Sequence, residues 1–230
     1  MRTHLFVDDN VAFAENLAEI IRDDGDEVVV AESGAQALEL ARDTRFDALV
    51  TDMRMPVMSG AKLVHEIRRV DPGLPAIVVT AYTGETDLLA AREEGLLAVL
   101  PKPVPIERLA ALLKVARRNG LVALVEDDHA LADNLAEALR DRGFSAVMAH
   151  SVAEADRLGG VRPFAALVDL RMPDGPDGAA LQTLTTRMPG LPVLVMSGFP
   201  EAVQAVHAPS VFEKPFDTPS LLQAVERHWR

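Results

Sequence analysis

Short apolar runs alternate along this chain with longer amphipathic stretches. In the first half the apolar runs are rich in valine and leucine and are bounded by turn residues, which is typical of strands buried on both faces of a sheet. Between them apolar residues recur with helical spacing, as Phe13, Leu17 and Ile21 do. Five strands alternating with five helices favour an α/β fold with a covered parallel sheet. The predicted strands are residues 5–7, 28–30, 48–50, 76–79 and 99–100.

The second half of the chain repeats the first. Four matching segments are separated by offsets of 112 to 118 residues, and a period this long indicates a duplicated domain rather than a solenoid. We therefore predict two domains, residues 1–118 and 119–230, joined by the short segment 117–120. The matching segments are residues 5–10 with 124–128, 48–56 with 166–173, 77–82 with 194–199, and 101–103 with 213–215.

Composition and charge argue against some classes of binding partner. The 230-residue chain has a net charge of −12, shared equally by the two halves, and it contains no cysteine. Acidity argues against binding to nucleic acid, because proteins that bind it usually present a basic face. No apolar run approaches the roughly 20 residues of a membrane span, and the N-terminus lacks a signal-peptide core. We expect a cytoplasmic protein without disulfides, and with neither nucleic acid nor membrane as a partner.

Polar residues stand at the ends of the predicted strands. Ligands of an open parallel sheet bind beyond the carboxyl ends of its strands. Carboxylates that meet there repel one another unless a cation shares the site. A ligand set of oxygens alone favours Mg²⁺, with Mn²⁺ as the alternative. These residues are Asp8, Asp9, Asp52, Thr80 and Lys102 in the first half, and Glu126, Asp127, Asp169, Ser197 and Lys214 in the second.

Phosphoryl transfer is the chemistry that such a site can perform. A carboxylate is a competent nucleophile toward an activated phosphoryl group when the negative charge of the incoming oxygens is neutralised. The metal ion would supply part of that neutralisation, Lys102 a positive charge, and the Thr80 hydroxyl a hydrogen bond. The product is an aspartyl phosphate, which hydrolyses spontaneously and can therefore time a signal.

Both halves resemble the receiver (CheY-like) domain of bacterial response regulators. The resemblance rests on the acidic pair, the acceptor aspartate, the Thr or Ser and the Lys-Pro, each at its own strand end and each found twice. It implies two consecutive doubly wound, five-stranded parallel-sheet domains of the flavodoxin-like strand order 2-1-3-4-5. It also implies signalling through protein contacts, with phosphoryl groups taken from a histidine kinase or phosphotransfer protein, and no dedicated enzyme activity.

The resemblance assigns a role to each matching residue. Asp52 and Asp169 would be the phosphoacceptors, Thr80 and Ser197 would hold a phosphoryl oxygen, and Lys102 and Lys214 would be the counter-charges. The Lys102–Pro103 and Lys214–Pro215 bonds would be cis. The metal ligands would be Asp8, Asp9, Asp52 and the Arg54 carbonyl in the first domain, and Glu126, Asp127, Asp169 and the Arg171 carbonyl in the second.

Three features depart from the family pattern. Val99 and Val211 stand three residues before the lysines, where the family usually has an aromatic ring that moves on activation. The stretch from Ser197 to Lys214 is short and contains two prolines, so we expect no regular fourth helix and a modified face in the second domain. Bulky residues beside the acceptors are expected to slow hydrolysis of the phosphoryl group: Arg54 and Tyr82 in the first domain, and Arg171 and Phe199 in the second.

Other functions were weighed as alternatives. An aspartate-nucleophile phosphatase needs a second aspartate two residues after the nucleophile. Both copies have arginine at that position, which argues against a phosphatase. The second domain is alternatively a pseudo-receiver that serves dimerisation or packing, or the pair is a phosphate sink or phosphorelay intermediate. We expect a downstream protein target, with a homodimer as a further option. The six histidines show no ligand spacing, and we interpret them as surface or partly buried residues: His4, His65, His129, His150, His207 and His228.

Overall fold

The computed structural model describes residues 1–81, 95–198 and 210–229. The chain divides into two compact units. The first comprises Met1–Asn119 with Arg142–Ser145, and the second comprises Gly120–Asp141 with Ala146–Arg230. Each unit is built around its own sheet of five strands.

The sheet of the first unit has the order β2-β1-β3-β4-β5, and its strand pairs are parallel. This confirms the predicted strand order 2-1-3-4-5. The strands are β1 (Thr3–Val7), β2 (Glu27–Ala31), β3 (Ala48–Asp52), β4 (Ala76–Thr80) and β5 (Ala98–Pro101). The described helices are α1 (Val11–Asp23), α2 (Gly34–Asp43), α3 (Gly60–Val70) and α4 (Ile106–Val115).

The second unit has the same strand order, which reads β7-β6-β8-β9-β10. Its strands are β6 (Leu121–Val125), β7 (Ser145–Ala149), β8 (Ala165–Asp169), β9 (Val193–Ser197) and β10 (Ser210–Glu213). Its described helices are α5 (His129–Asp141), α6 (Val152–Arg157), α7 (Ala179–Arg187) and α8 (Thr218–Glu226), and one 3₁₀ turn at Leu158–Gly160 follows α6.

The predicted fourth helix of the first domain, before its last strand, falls on residues 82–94. The stretch of the second domain in which no regular fourth helix is expected falls on residues 199–209, and both segments lie outside the described residues. The hypothesis of a modified face in the second domain rests on that segment and is likewise outside them. Among the helices that the structure describes, none combines the length and the apolarity needed to cross a bilayer.

The core of the first unit lies on both sides of its sheet. Leu5 and Leu49 face one cluster, which α3 covers with Leu63 and Ile67. Phe6, the next residue of β1, faces the opposite cluster, which includes side chains from α1 and α4. Successive residues of a strand point to opposite faces, so burial on both faces requires an uninterrupted apolar run. This is why the strands were recognisable from the sequence.

His4, in the middle of this sheet, is fully buried. The expectation that every histidine is at the surface or only partly buried was therefore wrong for this residue, because β1 is a central strand. Its Nε2 lies 3.3 Å from Asp26 Oδ2, and its Nδ1 has no hydrogen-bond partner among the residues that the structure describes. Burial lowers the pKa of His4 and outweighs the opposing effect of the Asp26 carboxylate.

We expect the stability of the first unit to fall as the pH drops below the ordinary histidine pKa of 6.5. Because the folded pKa of His4 is lowered, the unfolded chain binds more protons in that window, and each added proton favours unfolding. His4→Leu removes this titration and should flatten the decline, as measured by urea unfolding at several pH values. The control is His65→Leu, at an exposed position of α3. An unchanged decline in His4→Leu would contradict the prediction.

Val57, in the loop between β3 and α3, has a left-handed backbone with φ of 69° and a fully exposed side chain. A β-branched residue is strained there, at a cost of about 1–2 kcal/mol. Glycine relieves the strain but loses more chain entropy on folding. We therefore expect Val57→Gly to raise the free energy of unfolding by about 0.5–1 kcal/mol in urea titrations. Val57→Ala keeps the Cβ atom and should gain less, and an equal gain would show that strain is not the cause.

Candidate functional site

The polar residues predicted for the first domain lie at the carboxyl ends of four strands. Asp8 directly follows β1, Asp52 and Thr80 end β3 and β4, and Lys102 directly follows β5. Asp8, Asp52 and Thr80 are buried, whereas Asp9 is exposed. Parallel strands end at the same edge of the sheet, and β1 and β4 flank β3. The strand order therefore gathers these side chains around Asp52.

Lys102 bridges the two buried carboxylates of this site. Its Nζ lies 2.9 Å from Asp8 Oδ2 and 2.7 Å from Asp52 Oδ1. The ammonium also lies 4.6 Å from the centre of the Phe13 ring. Burial acts to lower the pKa of Lys102, but the hydrogen bonds and negative charges of Asp52 and Asp8 outweigh it and leave the pKa raised. The lysine therefore stays charged at neutral pH.

Backbone groups hold the other oxygens of these carboxylates. The Arg54 N–H donates to Asp52 Oδ2 at 2.8 Å, and the Asn10 N–H donates to Asp8 Oδ1 at 2.9 Å. Gly60, the first residue of α3, packs against the backbone of Asp52, where an added Cβ would clash with the Asp52 carbonyl oxygen. Only glycine allows α3 to begin so close to the end of β3.

The second domain repeats this arrangement around Lys214. Its Nζ lies 2.7 Å from Glu126 Oε2 and 2.7 Å from Asp169 Oδ2. The Arg171 N–H donates to Asp169 Oδ1 at 3.0 Å, as Arg54 does in the first domain. Burial raises the pKa of Glu126; the charge of Asp169 acts in the same direction, and Lys214 acts against them. Glu126 is only 1% exposed, so its charge depends on the lysine beside it.

Three carboxylates converge in the second domain. Glu126, Asp127 and Asp169 each offer an oxygen, and these oxygens lie within 4.8 Å of one another. No other three His, Cys, Asp or Glu side chains meet this condition in the described parts of the chain. The predicted counterpart of Asp8, Asp9 and Asp52 does not meet it. Carboxylate oxygens suit a hard divalent cation such as Mg²⁺, so the donor set fits the predicted metal.

Thr80 and Ser197 occupy matching positions at the ends of β4 and β9, and both are buried. The carbonyl of Thr80 accepts a hydrogen bond from the Lys102 N–H at 2.9 Å, and that of Ser197 accepts one from the Lys214 N–H at 2.8 Å. The two Lys-Pro bonds are cis, as the family resemblance predicted.

Some contacts of the site were not predicted. In the second domain the rings of His129 and His150 lie against each other, and His150 also bonds the Glu126 carbonyl oxygen. The one sequence signal was position, because His129 follows the acidic pair by two residues.

Arg171 forms an ion pair with Asp177 at 3.1 Å, so its side chain is engaged by the loop after β8. Tyr82 and Phe199, expected to slow hydrolysis, lie outside the described residues.

Comparison with known proteins identifies the family to which this chain belongs. The sequence model of the response regulator receiver domain matches residues 5–114 and 122–226. The chain belongs to this family. A response regulator receiver protein of Anaeromyxobacter sp. (strain Fw109-5) is 63% identical over 227 residues, which cover 99% of this chain and 95% of that protein.

Other relatives and solved structures match about half of this chain. The transcriptional regulatory protein GlrR of Escherichia coli (strain K12) is 37% identical over 105 residues, which cover 46% of this chain and 24% of GlrR. The solved receiver domain of a sensor histidine kinase from Pseudomonas aeruginosa PAO1, with magnesium in its active-site cleft, is 29% identical. The match covers 49% of this chain and 94% of the solved receiver domain, with a TM-score of 0.46.

We expect Lys214→Met to destabilise the second receiver domain at neutral pH, because Glu126 and Asp169 would be left as neighbouring buried charges. Losing one partner of a buried pair costs about 3–5 kcal/mol. Lys214 is 23% exposed. We therefore expect about 2–3 kcal/mol by urea denaturation. The loss should shrink in acid, where the carboxylates become neutral.

The control for this variant is Arg187→Met. It removes the exposed ion pair between Arg187 and Asp156, 2.7 Å apart, in the same domain. Exposed pairs contribute little to stability. If both variants lost equal stability, Lys214 would not be holding two buried charges together.

Proposed function

We propose that this chain is a tandem phosphoacceptor of two-component signalling. Its two receiver domains, residues 1–118 and 119–230, take phosphoryl groups from a histidine kinase or phosphotransfer protein onto Asp52 and Asp169. The observation that carries the proposal is the duplicated lysine bridge. In each domain one oxygen of the acceptor lies 2.7 Å from an ammonium that also binds the acidic residue after the first strand.

In this reaction a carboxylate oxygen of the acceptor attacks phosphorus. The new O–P bond forms while the bond to the donor's imidazole nitrogen breaks, and the electron pair of that bond leaves with the imidazole. Lys102 or Lys214 neutralises the negative charge on the transferred group, and the Thr80 or Ser197 hydroxyl donates a hydrogen bond to one of its oxygens. The lysines already contact the acceptors, so a small movement of each ammonium would transfer its bond from carboxylate to phosphoryl oxygen.

A divalent cation completes the site in this proposal. Mg²⁺, or Mn²⁺ in its place, would neutralise the phosphoryl oxygens that approach the carboxylates. Asp8, Asp9, Asp52 and the Arg54 carbonyl would hold it in the first domain. Glu126, Asp127, Asp169 and the Arg171 carbonyl would hold it in the second.

The output of the protein would be contact with another protein. A net charge of −12 disfavours a nucleic-acid partner, and the aspartyl phosphate forms and decays on the chain itself rather than on a released substrate. Valine at positions 99 and 211 offers no ring to rotate, so another part of the surface would report phosphorylation. A second copy of the chain is one partner to test.

The second domain is proposed to be an active receiver rather than a pseudo-receiver kept for packing. Buried carboxylates cost stability unless they are paired, and a purely structural domain has no need of two that meet a third, exposed carboxylate. Glu126, Asp127 and Asp169 do converge. Two active receivers would also allow a role as phosphate sink or phosphorelay intermediate.

Phosphorylation is tested by intact-mass analysis after treatment with acetyl phosphate and Mg²⁺. We expect two phosphoryl additions on the wild-type chain, and one each on Asp52→Asn and Asp169→Asn, because each variant loses one nucleophile. Omitting Mg²⁺ should abolish or strongly reduce both additions.

Asp24→Asn is the control, because Asp24 is an exposed aspartate that pairs with Lys114 at 3.1 Å, and it should still take two phosphoryl groups. A single addition, lost only with Asp52→Asn, would make the second domain a structural or interaction module. No addition from either acetyl phosphate or a phosphorylated histidine kinase would refute the proposed function.

A further inference from the structure

Two imidazole rings lie side by side next to the carboxylates of the second domain. His129 is the first residue of α5, and His150 directly follows β7. Their ring centres are 3.9 Å apart, and the ring planes are tilted by 38°. The corresponding positions of the first domain, at the repeat offset of 118 residues, are Val11 and Glu32. The imidazole pair is therefore particular to the second domain.

A hydrogen bond fixes which nitrogen of His150 carries the proton. Nδ1 lies 2.8 Å from the backbone carbonyl oxygen of Glu126. A carbonyl oxygen can only accept, so Nδ1 is the protonated nitrogen, and in the neutral ring the lone pair is on Nε2. An imidazole that donates one N–H to a carbonyl and presents its other nitrogen is oriented as a metal-binding histidine usually is.

The surroundings of this pair are negatively charged. Asp127 and Asp128 directly precede His129, and Glu154 Oε2 accepts a hydrogen bond from the His150 backbone N–H at 2.7 Å. Asp128 Oδ1 caps α5 by accepting from the Ala130 N–H at 2.9 Å. The carboxylates favour a cation near the rings. His129 is exposed and His150 only partly buried, so an ion can reach both.

We propose that His129 and His150 together bind one divalent transition-metal ion that prefers imidazole ligands, such as Zn²⁺ or Ni²⁺, with water completing its coordination. Imidazole nitrogens suit these metals, whereas Mg²⁺ prefers oxygen. The site is therefore chemically distinct from the carboxylate group of Glu126, Asp127 and Asp169. Zn–N bonds of about 2.0–2.1 Å would require the two rings to rotate out of their present contact until one nitrogen of each faces the ion. The proposal does not depend on phosphorylation of Asp169.

Isothermal titration calorimetry of the full chain with ZnCl₂, in a large excess of Mg²⁺, tests this site. The excess Mg²⁺ competes for the carboxylates and leaves the imidazoles available. We expect wild-type protein to bind Zn²⁺ under these conditions. His129→Gln and His150→Gln should each weaken binding at least about tenfold, because each removes one of two nitrogen ligands. His65→Gln, which changes an exposed histidine of α3, should bind as the wild type does.

NMR of the histidine rings gives a second readout that does not depend on the variants. Zn²⁺ should shift the ring resonances of His129 and His150 and leave those of His65 unchanged. Three results would overturn the proposal. These are wild-type affinity in both His→Gln variants, an equal loss in His65→Gln, or loss of all Zn²⁺ binding when Mg²⁺ is in excess.

Discussion

Each domain depends on one ammonium group placed between two buried carboxylates. Asp52 is 8% exposed and Asp169 is 7% exposed, so neither carboxylate can rely on water to stabilise its charge. Two such groups side by side would each favour protonation, and a protonated carboxyl is a poor nucleophile. Lys102 and Lys214 place a positive charge between the carboxylates of their domains, and the hydrogen bonds and negative charges of those carboxylates outweigh burial and raise the pKa of both lysines. The chemistry proposed for the site therefore depends first on the lysine and only then on the acceptor.

Lys102 reaches Asp52 because of the strand order. β1 and β4 both pair with β3, and β5 pairs with β4, so the ends of four strands surround Asp52. The register places Val7 beside Thr51 and Thr80 beside Pro101. The residues that follow these strands are therefore neighbours in space although they are far apart in the chain. A parallel sheet with a different order would leave the same residues at strand ends but no longer around one point.

Much of this was predictable from the sequence because it depends on backbone periodicity. Doubly buried strands need continuous apolar runs, and the residue after each run must lie at the edge of the sheet. Contacts that depend on side-chain placement were not predictable. His129 begins α5 and His150 follows β7, 21 residues later, and this separation matches no ligand spacing; only the position of His129 after the acidic pair was a signal. The left-handed backbone of Val57 was not predictable either, because the surrounding loop imposes this conformation against the preference of valine. His4 is buried because β1 lies between two other strands, and the polar and apolar pattern around His4 does not reveal this position in the sheet.

The two copies differ in how their carboxylates are arranged, and one methylene group offers a reason. Glu126 stands where the first domain has Asp8, and both bond the lysine of their domain. The longer side chain extends further from the end of its strand, and its oxygens lie within 4.8 Å of those of both Asp127 and Asp169. The second domain also carries the imidazole pair, next to the Glu126 backbone. The duplicated lysine bridge has been retained while its surroundings have diverged, so the two domains would differ first in their response to cations.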